Sequence, residues 1–212
     1  MDTRPLFSAL LIALFLALFS PAASATTAVR FTTKELVTHA ERVFHGRCLK
    51  AESSYDERGL VVTRYEFEVV EMLKGEAGRR SVSFSQPGGI VGNRGLYIPG
   101  VARFDSGREF VVFVAAPARA GQPTYTVGLA QGAFAVRDGD GSGQQTVTRS
   151  LDGLELVSGS EGTGRVRAEG HPHAEGEEVA NEGEGRTERS LDELLGEVRG
   201  LVRAEAAAEG SR

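Results

Sequence analysis

Val61-Val62-Thr63-Arg64-Tyr65-Glu66-Phe67-Glu68-Val69-Val70-Glu71-Met72-Leu73-Lys74-Gly75 is the stretch on which the fold turns. Val61, Thr63, Tyr65, Phe67 and Val69 fall on one side of an extended chain, and Arg64, Glu66 and Glu68 on the other. A period of two with one polar face specifies an antiparallel strand with one side on a core and the other wet. Lys74-Gly75 ends the run. Before it, Asp56-Glu57-Arg58-Gly59 reads as a turn from another long extended segment, so the two form a hairpin.

Working outward, Ser81-Val82-Ser83-Phe84-Ser85 alternates again. Phe110-Val111-Val112-Phe113-Val114 is continuously apolar and predicts a central strand buried on both faces. Tyr125, Val127 and Leu129 predict a further strand, Phe134 and Val136 another, and Thr146-Val147-Thr148 a last short one. So many short strands in residues 30–150 predict a mainly β domain, a small antiparallel OB-like barrel whose closure would remove exposed edges.

Two helices flank it. Thr32-Thr33-Lys34-Glu35 is a capping box, and Leu36, Val37 and Ala40 give helical spacing, which predicts a short N-terminal helix over 31–41. Ser190-Leu191-Asp192-Glu193 is a second capping box. It opens a C-terminal amphipathic helix over 189–206 with one stripe of Leu191, Leu194, Leu195, Val198, Leu201 and Val202. The expected partner of that stripe is the barrel, with another protein or a membrane as the alternatives. Between domain and helix, residues 158–188 form an acidic Gly- and Glu-rich linker with Val166 and Val179 almost the only sizeable apolar side chains. Such a composition predicts disorder, because burial cannot offset the entropy of ordering.

The first 25 residues carry an address. Leu6 to Phe19 is apolar except for Ser8, and Ala23 and Ala25 form an A-x-A-like site, the layout of a signal peptide cut after Ala25. An apolar run of about 14 residues falls short of the roughly 20 needed to span a bilayer. The protein is therefore expected to be secreted or periplasmic, with no integral membrane segment after cleavage. The formal net charge of −5 opposes binding to a nucleic-acid backbone or an anionic membrane. Cys48 is the only cysteine, so no internal disulfide can form. Its setting, Phe44-His45-Gly46-Arg47-Cys48-Leu49, reads as a strand. A buried inert thiol is the simpler reading and an intermolecular bridge the sharper one.

Chemistry-bearing patterns are sparse. Asp138-Gly139-Asp140-Gly141-Ser142-Gly143 imitates an EF-hand opening, but the twelfth position is Arg149 where a bidentate Glu is needed. His171 and His173, with Glu169, Glu175, Glu177 and Glu178, are metal-ligand types on a segment without ordered support. Only His39 and His45 lie in the ordered region, and no serine has a nucleophile-elbow context. Gly88, Gly89 and Gly92 follow Gln86-Pro87, yet no helix and no lysine follow to hold a phosphate. No catalytic residue, metal or cofactor is expected from these patterns.

Several spaced motifs carry a resemblance: Ala40-Glu41-Arg42-Val43-Phe44-His45-Gly46-Arg47, the Tyr65 to Gly75 strand, Gln86-Pro87-Gly88-Gly89, Phe104 to Phe113, and Gly128-Leu129-Ala130-Gln131-Gly132-Ala133-Phe134. Over roughly residues 32–137 and the closing Leu-rich helix, the chain resembles a set of uncharacterised exported bacterial proteins. Their arrangement is in turn similar to the netrin-like module of tissue inhibitors of metalloproteinases, an OB-fold barrel. Those inhibitors ligate the enzyme's zinc through an amino-terminal cysteine. The expected mature terminus here is Thr26-Thr27-Ala28, so no inhibitory residue carries over.

The expected function is an exported, non-catalytic β-barrel module that binds a protein of the envelope or exterior. Gln86, Pro87, Gly88, Gly89 and Tyr97 are the candidate binding residues of a loop, 86–101, unusually apolar for a connector. The same side chains could instead plug one barrel mouth. The alternatives are a hydrolase or metal-dependent enzyme whose site is not visible as a motif, and an oligosaccharide-binding module. The latter is disfavoured by the absence of Trp.

Overall fold

The computed structural model describes residues 26–119, 122–139, 143–157 and 189–210. The expected signal peptide, the linker 158–188 with its histidine pair, and Asp140 to Ser142 of the EF-hand-like run lie outside the described residues.

The fold is mainly β with two helices. Strand β1 is Thr26–Val29, and helix α1 follows at Thr33–His39, shorter than the 31–41 expected. Its capping box forms as the sequence predicts: Thr32 Oγ1 accepts from the Glu35 N–H at 3.3 Å, and Glu35 Oε2 accepts from the Thr32 N–H at 2.7 Å. The long hairpin consists of β2, Arg42–Tyr55, and β3, Val61–Lys74. Asp56 Oδ1 closes its turn by accepting from the N–H groups of Arg58 and Leu60. Register shifts at Val43/Phe44, His45/Gly46 and Cys48/Lys50 mark bulges, which bend and twist a ladder. Gly46 is required at one of them, since a Cβ there would sit 2.5 Å from the Glu68 carbonyl oxygen.

Strand β4, Ser81–Pro87, pairs with β3. A small hairpin follows, β5 Gly89–Val91 against β6 Arg94–Leu96. Strand β7, Glu109–Val114, is central and buried on both faces, as its unbroken apolar run requires. Strands β8 Ala133–Asp138, β9 Gln145–Thr148 and β11 Arg189–Ser190 continue the sheet, and β10 Leu154–Val157 pairs in parallel with β1. The main sheet has seven strands in the order β11-β9-β8-β7-β2-β3-β4, antiparallel throughout.

This sheet is not closed, so the barrel closure expected from strand spacing is absent from the strand pairing. The strand expected at 125–129 is also absent. Thr126 makes a single bridge to Val114, and Leu129–Gly132 is a 3₁₀ turn. Left-handed backbone at Gly128 and Leu129 (φ 61° and 62°) reverses the chain there, which an extended strand cannot accommodate. The 124–127 segment nonetheless reaches both sides of the opening. Its Val127 N–H donates to the Phe113 carbonyl, and its Thr124 N–H donates to the Ser85 carbonyl at the β4 edge, each at 2.8 Å.

Two cores lie on the two faces of the sheet. One is aromatic: Phe67 stacks on Phe84, and Phe104 meets Tyr65, Phe67, Phe84 and Phe110 edge-on. Centroid separations of 5.0–5.9 Å are in the favourable range for such pairs. The other core lies under the helices and joins Val43, Leu73, Val111, Phe113 and Val147 to Leu36 and Val37 of α1. Helix α2, Leu191–Gly210, covers it with Leu191, Leu194, Leu195 and Val198, while Leu201 and Val202 are partly buried. The stripe thus finds its partner within the chain. The helix runs Leu191–Gly210 in place of the 189–206 expected; it starts later because Arg189 and Ser190 pair with β9 as β11, and Ser190, the expected N-cap, directly precedes its first residue.

Candidate functional site

The candidate site is a pocket of about 220 Å³ bordered by β2, β3, the start of β5 and residues 98–103. Ser53, Thr63, Tyr65, Pro87, Gly88, Gly89, Ile90, Ile98, Val101, Ala102 and Arg103 line it. The hairpin register builds its floor. Ser53 of β2 lies opposite Thr63 of β3, and their hydroxyl oxygens are 3.0 Å apart. Thr63 Oγ1 donates to the Gly88 carbonyl at 2.7 Å, and Ser53 Oγ accepts from the Ile90 N–H at 3.3 Å. These bonds clamp the Pro87-Gly88-Gly89 corner onto the sheet. Gly88 and Gly89 have φ of 108° and 130°, and any Cβ at Gly89 would overlap Ser53 Oγ and Thr63 Oγ1. Burial, its dominant influence, pushes the Tyr65 hydroxyl above the ordinary tyrosine range.

The five residues singled out from the sequence separate here. Pro87, Gly88 and Gly89 line the pocket. Tyr97 is not in the lining; it is 60% exposed, and the guanidinium of the lining residue Arg103 is 4.8 Å from its ring centroid. Gln86 is 1% exposed and faces inward. Its Nε2 donates to the Ala102 carbonyl and its Oε1 accepts from the Thr126 N–H, each at 3.2 Å, so it ties β4 to the segment spanning the opening. Ile90, Ile98 and Val101 all line the pocket, and Ile90 is also 72% exposed. The parts that sequence reading missed are Ser53, Thr63, Tyr65 and Arg103. Thr63 as the one polar residue among the inward-facing Val61, Tyr65 and Phe67 was the available signal.

The lining includes no carboxylate, imidazole or amine, so no proton acceptor of ordinary catalytic type faces Ser53 or Thr63 within it. His45 sits elsewhere, with Nε2 3.2 Å from Glu109 Oε2, and Arg47 donates to the other oxygen of that carboxylate at 2.6 Å. His39 packs edge-on against Phe31. Among the described residues, no three His, Cys, Asp or Glu side chains gather where they could hold a metal ion. No helix among these residues is long and apolar enough to cross a membrane. No protein-family model and no curated protein matches the chain.

Proposed function

We propose that this chain is an exported, non-catalytic module that binds another protein through the 87–103 surface. The observation that carries this reading is a pocket bordered by two exposed apolar side chains, Ile90 in its lining and Tyr97 against the lining residue Arg103. Ile90 and Tyr97 are two of the three most exposed large apolar side chains among the described residues. Exposed apolar and aromatic groups around a preformed recess are typical of binding surfaces, where a few anchors supply most of the energy. At about 220 Å³ the pocket falls below the roughly 300–1,000 Å³ of small-molecule sites, and it suits one inserted side chain. The bulged β2–β3 hairpin, and the bonds of segment 124–127 to both β7 and β4, support reading the open sheet as an OB-like, netrin-like barrel.

A photoreactive phenylalanine analogue placed at Tyr97 tests the reading. Irradiation in the exported compartment is expected to give one discrete protein adduct. The adduct disappears with Ile90→Asp, and none forms from the same group at Arg64 on the other face of β3. No adduct at Tyr97, or an equal one at Arg64, overturns the proposal. Intact-mass analysis of exported material is expected to show a chain beginning at Thr26; retention of Phe7 to Leu18 overturns the export assignment.

A further inference from the structure

Charge is distributed unevenly along the chain that leads to and through the pocket, although Arg79, paired with Glu76, and Arg80 line a separate recess. From residue 77 to residue 104 the chain has four arginines, Arg79, Arg80, Arg94 and Arg103, and no Asp or Glu, within a protein of net charge −5. Four acids on flanking segments are in ion pairs, while Glu57, and Asp152 and Glu155 on either side of the Gly153 that lies against Tyr97 and Gly100, are in none among the described residues. Glu52 is 2.8 Å from Lys50, Asp56 3.1 Å from Arg58, Glu66 3.6 Å from Arg64 and Asp105 3.3 Å from Arg108. Arg94 and Arg103 are in no ion pair among the described residues. Arg103 lines the pocket itself, and Arg94 is in β6, paired with the β5 strand whose Gly89 and Ile90 line it. Its position over the Tyr97 ring places the Arg103 guanidinium beside an exposed aromatic face.

We infer that the partner presents an extended peptide segment in which a large apolar side chain is followed or preceded at once by a carboxylate. This inference rests on the protein-binding reading above. The apolar side chain enters between Ile90, Ile98 and Val101. The carboxylate accepts hydrogen bonds from the Arg103 guanidinium, whose planar fork matches its two oxygens. Arg94 adds longer-range attraction, which speeds encounter more than it tightens the complex. An apolar ligand without an acid would leave both arginines unmatched, and an acidic ligand without an apolar side chain would leave the recess unfilled.

A random heptapeptide library displayed on phage, selected on the immobilised exported chain and counter-selected on Ile90→Asp, tests this. Enriched peptides are expected to have Asp or Glu adjacent to Leu, Ile, Met or Phe. Synthetic copies should lose roughly fivefold or more in affinity with Arg103→Gln, and less with Arg94→Gln. Raising the salt should weaken the parent chain's binding more than that of Arg103→Gln. Both arginines are exposed, so these variants are expected to fold, and matching thermal melts check that. Enriched peptides that lack acids, or that bind Arg103→Gln as tightly as the parent, overturn the inference and leave the binding site standing. Enrichment insensitive to Ile90→Asp, or no enrichment at all, overturns the underlying reading as well.

Discussion

Arg199 of α2 and Glu71 of β3 form a two-pronged ion pair: Nε donates to Oε1 and an Nη to Oε2, each at 2.7 Å. This contact and the 2.7 Å pair of Lys74 with Glu205 fix the helix on the sheet at two points along its length. The Arg199 hydrogen bonds hold the Glu71 carboxyl below the ordinary carboxylate range. A lowered folded-state pKa stabilises the protein above the unfolded carboxylate pKa, about 4.3, and that contribution is lost as the pH falls through the folded value. Both side chains are partly exposed, so solvent screening limits the pair to about 1 kcal/mol or less. Arg199→Gln is expected to lower stability by that amount at pH 7, with the difference from the parent shrinking toward pH 3. Urea titrations at both pH values measure it, and an equal difference at each would refute the linkage.

Leu195 faces the helix-side core. Leu195→Ala removes buried apolar volume that the sheet below cannot refill, so it is expected to cost about 2–4 kcal/mol and lower the melting temperature of the whole domain. An unchanged melt would mean that α2 does not contribute its stripe to this core in solution.

Gln86 joins Ala102 to Thr126 through a side chain with almost no solvent access. Gln86→Leu keeps the bulk but strands an N–H and a carbonyl, at a cost of roughly 2–4 kcal/mol. Amide exchange at Thr126 should accelerate more than at Val112 in the centre of β7. Uniform acceleration would show that the strut acts only through global stability.

Gly89 and Gly92 both have positive φ, but only Gly89 is crowded. Gly92→Ala meets nothing and should cost about 1–2 kcal/mol from backbone strain alone. Gly89→Ala adds a clash with the Ser53–Thr63 pair, so its melting temperature should fall further, by a margin that Ser53→Gly partly restores.

Cys48 is 0% exposed, and burial, the first cause, pushes its thiol above the ordinary cysteine range. A water-soluble disulfide reagent should leave it unmodified at pH 8 in the folded protein and titrate one thiol in urea. Rapid reaction without denaturant would revive the intermolecular bridge.

Strand existence was legible wherever a local period carried it. The Val61–Val69 alternation, the unbroken Phe110–Val114 run and the Thr32–Glu35 cap depend on a chain's own neighbours, and each appears where expected. The helical stripe from Leu191 likewise announced that α2 needed an apolar partner. Residues 125–129 misled, because their apolar alternation coincides with left-handed backbone at Gly128 and Leu129, a conformation decided by how the chain must turn into β8. Whether the sheet closed depended on edge contacts between β4 and residues 124–127, about forty positions apart in sequence. The site divides on the same line. Composition marked residues 86–101 as unusual, but only packing separated the inward strut Gln86 from the exposed Ile90 and Tyr97. It also brought Ser53, Thr63 and Arg103 to one recess. The sequence by itself determined which segments extend, coil and need burial, since those follow from short-range sterics and hydrophobic periodicity. Which faces meet, and which side chains remain for a partner, are set by long-range contacts whose register no local pattern encodes.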